Sequence, residues 1–198
     1  MYRPSYTIND NPEHALKLIQ DFPLGLLISH EHGSFESSYL PFLAQIENGE
    51  LVLITHLARS NPQWKNLREE VVVSFQGPNR YISPTMYAGK NNVPTWNYAA
   101  VQIKGKPELI TSKTEIKQIL NQSVDFFESR NETSWKYELP EPLQEKLESA
   151  IVGLKIKSIG LAKFKLSQNR TDEDYEGVLK FLRSSPKASD QELLDWMT

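Results

Sequence analysis

A chain of 198 residues with 39% hydrophobic and 24% charged residues can bury one sizeable core as a water-soluble globular protein. It has no cysteine, which excludes disulfides, thiolate metal ligands and thiol nucleophiles, and no apolar run nears the ~20 residues that cross a bilayer. A net charge of −3 and a pI of about 5.9 speak against phosphate-backbone binding, which needs a basic face, although Lys155 to Lys165 could form a small basic patch.

The N-terminus lacks the apolar core of a signal peptide, so a cytoplasmic location is expected. Asn11-Pro12 predicts a helix start, with Asn as cap and Pro at the first position. Ala15, Leu18, Ile19 and Phe22 continue it at helical spacing until Pro23. Leu24 to His30 reads as a strand followed by a turn at Gly33. Phe35 to Glu47 is a second extended run, interrupted by Pro41. Asn48-Gly49 is the strongest hairpin signal in the chain and makes Leu51 to Thr55 the partner strand. His56 to Asn61 should then leave the sheet, and Pro62 should open one helical turn.

Val71 to Gln76 is strand-like and Gly77-Pro78 reads as a turn. Tyr81 to Tyr87 resumes as an extended segment, an edge or strand end because of Pro84. Trp96 to Lys104 runs long, with Trp96, Tyr98, Ala100 and Gln102 on one face and Asn97, Ala99, Val101 and Ile103 on the other. Ser112 and Glu115 have capping-box spacing ahead of the stripe Ile116, Ile119, Leu120, Val124 and Phe127. A polar linker over 131–138 precedes a short helix from Pro140 to Ala150. Strand character returns at Ile151 to Ile156 and Leu161 to Leu166. An amphipathic helix over Thr171 to Leu182 and a turn or two at Ser189 to Met197 complete the chain. The pattern is mainly β with peripheral helices (α+β), a small antiparallel barrel, and one domain over 1–198 with a helical extension from about 171.

There is no Gly-rich phosphate loop, so side chains would have to hold any phosphate. The segment THLARSNPQW offers Arg59 as a bidentate fork, Ser60 and Asn61 as short donors, and a helix N-terminus at Pro62; His56 lies beside them. The same residues also suit a plain strand-to-helix turn with an Asn cap. LSQNR concentrates Gln168, Asn169 and Arg170, or simply caps the next helix. Trp96 could cover a flat ring or form an aromatic corner of the core. His30 and His32 make only a weak H-x-H pair, so no metal site is expected. Neither a G-x-S-x-G motif nor a Ser-His-acid spacing is present, and the catalytic residues, if any, are not readable. Glu69-Glu70 and Asp172 to Asp174 read as solvated helix ends.

The ordered blocks THLARSNPQW, FQGPNRYISPTMY, VPTWNY and KLSQNR resemble the PaiB family, whose members are described as FMN-binding negative transcriptional regulators. That resemblance implies a split β-barrel of the flavin-reductase and pyridoxamine-phosphate-oxidase type, a homodimer with FMN at the subunit interface. It implies that Arg59, Ser60 and Asn61 hold the phosphate. Trp96 and Gln168 would lie near the flavin ring, Arg170 would contact flavin or phosphate from either subunit, and the strand around Leu40 would give backbone contacts to the ring edge. The chain departs from the family pattern at Tyr39, where many members carry His, and at Met86, where they carry Trp. Two other readings stand beside the regulator: an FMN-dependent oxidoreductase, since flavins carry their own redox chemistry, and a direct DNA-binding repressor, for which neither charge nor motif speaks.

Overall fold

The computed structural model describes residues 2–9, 11–31, 33–131, 135–158 and 160–198; His32 and part of the expected linker at 131–138 lie outside them. After a 3-10 turn the chain forms β1 (Ile8–Asn9), α1 (Pro12–Asp21), β2 (Leu24–Glu31), β3 (Ser34–Pro41), β4 (Leu43–Glu47) and β5 (Glu50–Ala58). There follow β6 (Val71–Ile82), β7 (Thr95–Ile110), α2 (Lys113–Glu128), α3 (Glu141–Ser149), β8 (Ile151–Ser158), β9 (Gly160–Lys165), α4 (Asp172–Ser184) and α5 (Ala188–Met197). Among these residues no helix is long and apolar enough to cross a membrane.

The local signals explain most of these boundaries. Asn11 caps α1 by accepting from the Glu13 amide, with Pro12 at the first position. The β4–β5 hairpin turns at Asn48 and Gly49, both with positive φ (52° and 83°), as a type I′ turn demands. Thr171 caps α4.

The strands are antiparallel in the order β3-β2-β6-β7-β8-β5-β4, with β9 paired to β7 and β1. β3 and β4 lie at opposite ends of that order, yet the single residue Phe42 joins them. So short a link forces the two edges together and curls the sheet into a barrel. The Phe42 amide donates to the Pro23 carbonyl at 2.9 Å, and the Thr55 hydroxyl donates to the Pro41 carbonyl at 2.6 Å. Inside, the Phe42 ring meets Phe75 edge-on at 5.4 Å, and Gly25 makes room for Phe75, whose ring would lie 2.5 Å from a Cβ there. Leu27, Leu53, Val73, Val101 and Ile156 complete the interior, with α1 plugging one side through Leu18 and Ile19.

Several expectations are corrected. Gly77-Pro78 is no turn: β6 runs through it, and the two residues bulge opposite Ala99 between the pairs Gln76–Ala100 and Asn79–Tyr98. Proline, lacking a ladder donor, is tolerated where pairing already lapses, and a Cβ at Gly77 would press on Leu18 at 3.1 Å. Past Ile82 the chain leaves the sheet, and Pro84–Met86 forms a 3-10 turn where an extended segment was expected. β5 does not stop at Thr55; His56 still pairs with Gly153. Ser112 stands at the α2 N-terminus, but its side chain makes no capping bond. Asp174 is not solvated: it is buried and accepts from the Gly89 amide at 2.8 Å and the Asn92 amide group at 2.9 Å. These bonds hold its carboxyl below the usual carboxylate range.

α4 and α5 pack back onto the barrel. Gly177 sits so close to the turn after β6 that a Cβ would lie 2.5 Å from the Met86 carbonyl oxygen. Asp190, fully buried, accepts from Arg80 of β6 at 2.8 Å and from Ser185 at 2.6 Å. Asn97 of β7, also fully buried, exchanges hydrogen bonds with Ser167, and Tyr175 donates to the Met197 carbonyl.

Candidate functional site

The expected site residues fall into three places. The first is the exit from β5. The Arg59 amide donates to the Ala150 carbonyl at 2.7 Å, and its guanidinium donates through Nε to Ser149 at 2.8 Å and through Nη2 to Ile151 at 2.9 Å. The carbonyls where α3 gives way to β8 therefore aim this side chain and occupy one edge of its fork, leaving the Nη1 edge exposed. Trp64 steadies it from below, donating from Nε1 to the Arg59 carbonyl at 2.9 Å. Ser60 is exposed. Asn61 has both ends of its amide engaged, accepting from Gln63 at 3.0 Å and donating to Ser38 of β3 at 2.9 Å. It ties this loop to the strand that carries Leu40, which is half-buried and pairs with Gly25. The segment after Pro62 is a 3-10 turn of five residues, and Asn61 itself satisfies the Gln63 amide, so the expected helix N-terminus adds nothing for an anion. What remains for a phosphate here is the free edge of Arg59 and the Ser60 hydroxyl.

The second place is the start of β7. Trp96 is 49% exposed, its Nε1 donating to Asn79 at 3.2 Å and its ring meeting Tyr81 at 6.0 Å. It borders a cleft of about 300 Å³ on the outer face of β6 and β7 whose floor includes Ser74 and Ala100. A second cleft of similar size lies on its other side, lined by Arg80, Met86 and Ser189 among others. Gln168 follows β9; its amide accepts from the Leu166 backbone and donates to the Phe164 carbonyl, so it is spent on its own turn. Arg170 donates to Asn92 at 3.2 Å and lies 4.9 Å from the Tyr87 ring.

Leu40 and Trp96 stand apart within one chain. Leu40 is level with Gly25 and the Phe75 ring, whereas Trp96 pairs with Tyr81 near the far end of β6. At about 3.3 Å per residue that is roughly 15–20 Å along the sheet.

His56 lies in a third place. Its cross-strand partner Gly153 carries the Ile119 side chain of α2, which would be 2.7 Å from a Cβ there, so the His56 ring lies on the helix-covered face. Its Nδ1 is buried with no hydrogen-bond partner among the described residues, and burial pushes its pKa below the usual histidine value. The folded state therefore resists a proton that the unfolded chain accepts below about pH 6.5. That contribution to stability is complete above pH 6.5 and is lost as pH falls through the lower folded value. We expect a His56→Gln variant to lose less stability than the parent between pH 7 and pH 5 in urea melts; parallel losses would show that His56 is not the group responsible. The described residues hold no cluster of metal-ligating side chains.

Between the first two places stretches an uncovered apolar sheet face that the sequence did not single out. Alternation along β2, β3 and β6 puts Leu24, Leu26, Ile28, Phe35, Tyr39 and Val72 on the outside, and Leu24, Phe35 and Tyr39 are 60%, 74% and 70% exposed. Tyr39, the first departure from the family pattern, thus points outward at the centre of this face. Met86, the second, is half-buried beside the cleft next to Trp96.

Comparison with known proteins agrees with this architecture. Residues 1–158 match the family described as "Putative FMN-binding domain". The chain is 33% identical to the Protease synthase and sporulation protein PAI 2 of Bacillus subtilis, over all of this chain and 96% of that protein. It is 32% identical to an uncharacterized protein of Emericella nidulans over 82% of each. Among solved structures it resembles the flavocytochrome Anf3 from Azotobacter vinelandii, at a TM-score of 0.62 and 16% identity over 89% of this chain and 78% of that one. It also resembles the FAD and heme binding protein from Mycobacterium smegmatis, at a TM-score of 0.60 and 16% identity over 88% and 80%. Those likenesses show that the barrel shares the split-barrel fold of those two proteins. The chain belongs to the FMN-binding domain family that includes PAI 2, the family its four motif blocks resemble.

Proposed function

We propose that the protein binds FMN as a homodimer, each site shared by two chains, and serves a regulatory role, as its resemblance to the PaiB family implies. The observation that carries this reading is the uncovered apolar face lying between two half-sites. A large exposed apolar patch on a protein of this size marks an interaction surface. Placing a second copy on it about a two-fold axis covers the same patch on both chains. Such an axis gives the phosphate-holding half, with Arg59 and Ser60, a chance to face the ring-holding half of the partner, with Trp96. The residues present suit the group: a cation with a free edge for the phosphate, a hydroxyl beside it, and an exposed indole bordering a shallow cleft for a flat ring. Bound FMN would bring the redox chemistry; the chain's part is to hold and orient it.

The second cleft beside Trp96 favours one further reading. It leaves room for a small molecule next to the ring, as an FMN-dependent oxidoreductase requires. Loss of the 450-nm flavin band on adding NADH or NADPH without oxygen would support that reading.

The test of the main proposal is titration of the protein with FMN, followed by flavin fluorescence, together with sedimentation to read the oligomer. Quenching on a dimer is expected. Arg59→Ala should weaken binding by about 1.5–3 kcal/mol, the range for a charged hydrogen bond. A monomer that leaves FMN fluorescence unchanged would overturn the reading.

A further inference from the structure

Gln76 is an exposed carboxamide on the wall of the cleft beside Trp96. It lies in β6 just before the bulge, directly across from Ala100, and lines the cleft that holds Ser74, Asn79, Trp96 and Tyr98. Nearby, Asn79 accepts from Trp96, and Asn97, one pair further along and facing inward, is bonded to Ser167. Gln63, Gln168 and Gln191 each bond to protein atoms. Gln76 is exposed, and its side chain makes no hydrogen bond among the described residues. The alanine opposite it leaves the carboxamide free to reach over the cleft floor, and the bulge at Gly77-Pro78 sets Asn79 back onto the same face.

From this arrangement we infer that Gln76 is a positioning residue that reads the hydrogen-bonding edge of a planar heteroaromatic ring lying in the cleft, one that presents an N–H between two carbonyls. A carboxamide matches such an imide edge in both directions. Oε1 accepts from the ring N–H while Nε2 donates to an adjacent carbonyl, two parallel bonds in one plane. Ser74 and Ala100 are small enough for the ring to lie close to the sheet, and the Trp96 and Tyr98 rings border it. The pyrimidine portion of a flavin has this imide edge, so the inference rests on the FMN reading above and assigns a residue to it.

The experiment compares three ligands on the dimer: FMN, FMN methylated at N3, and lumiflavin, which lacks the ribityl phosphate. The parent protein should bind FMN about tenfold more tightly than its N3-methyl form, as expected for a pair of neutral hydrogen bonds. Gln76→Leu, an exposed position that leaves the core untouched, should lower affinity for FMN and lumiflavin alike by about tenfold and abolish the discrimination against the N3-methyl form. Arg59→Ala should weaken FMN and leave lumiflavin unchanged. If the parent binds FMN while Gln76→Leu binds it equally well, or keeps the N3-methyl discrimination, Gln76 does not read the ring edge and the FMN reading survives. If the parent binds none of the three, both readings fall.

Discussion

Tyr39→Glu should convert the dimer to monomer and remove FMN binding in the same step. Tyr39 is 70% exposed in the single chain, so a carboxylate there is fully hydrated in the monomer and costs folding little. It pairs with Leu26 across the β2–β3 ladder, and Leu26 pairs in turn with Ser74, which places it at the middle of the apolar face. In a two-fold contact centred there, each copy would bring its new charge out of water against Leu24, Leu26 or the equivalent carboxylate. The penalty for desolvating an unpaired ion is several kcal/mol even after relaxation, and symmetry applies it twice. A weakening of the dimer by roughly 4–6 kcal/mol follows, enough to take a nanomolar dimer to the micromolar range or beyond. Since the proposed FMN site draws Arg59 from one chain and Trp96 from the other, FMN affinity should fall with the dimer. Sedimentation and FMN titration on one sample check both. A Tyr39→Glu protein that stays dimeric, or a monomer that still binds FMN tightly, would show that the apolar face is not the shared interface. Tyr39→Phe should leave both properties intact, because the face needs the ring and not the hydroxyl.

How much of this could be read from the chain depended on whether the signal was local. Asn11-Pro12 and Asn48-Gly49 specify their cap and their turn through the backbone of the next one or two residues, and the structure follows them. Gly77-Pro78 is equally local, but a Gly-Pro pair suits both a turn and a bulge. Only the partner strand, ladder pairs Gln76–Ala100 and Asn79–Tyr98, decides between them. The two faces read along β7 hold because alternation alone fixes them, and the structure turns the Asn97 set inward. The site was readable as residue types and not as places. Arg59 looked like a free fork, yet three carbonyls some 90 positions away in the chain orient it. Asp174 looked like a solvated helix-end acid and Asp190 drew no reading, and both turn out to be buried anchors for distant loops or strands. Gln76 carried no signal at all: a carboxamide becomes informative only when the fold places it on the wall of a cleft. His56, next to the Arg59 motif in sequence, faces α2 because strand alternation carries it to the other side of β5.

Asp190→Ala should produce the largest loss of stability among the polar substitutions, and its consequences should be concentrated in the C-terminal helices. The carboxylate is fully buried, bonded to Arg80 at 2.8 Å and Ser185 at 2.6 Å, and it belongs to the first turn of α5, where the helix dipole favours a negative charge. Removing it leaves Arg80, 22% exposed as a side chain, beneath α5 without that carboxylate and, among the described residues, with the face of Phe181 5.5 Å away. Breaking a buried pair from one side costs about 3–5 kcal/mol; the partial exposure of Arg80 lets water reach it and favours the lower end, about 3 kcal/mol. For a chain of this length that lowers Tm by about 6–12 °C. Because α5 also supplies Ser189 to the cleft beside Trp96, early protease cleavage near 185–190 should accompany the change. The diagnostic comparison is the double variant Arg80→Met/Asp190→Leu, which replaces both charges by apolar groups and should recover most of the lost stability. If Asp190→Ala melts within 2 °C of the parent, the ion pair does not hold the extension to the barrel. If the double variant is no more stable than Asp190→Ala, the loss lies in the packing and hydrogen bonds around Asp190, and Arg80 is not the group left stranded.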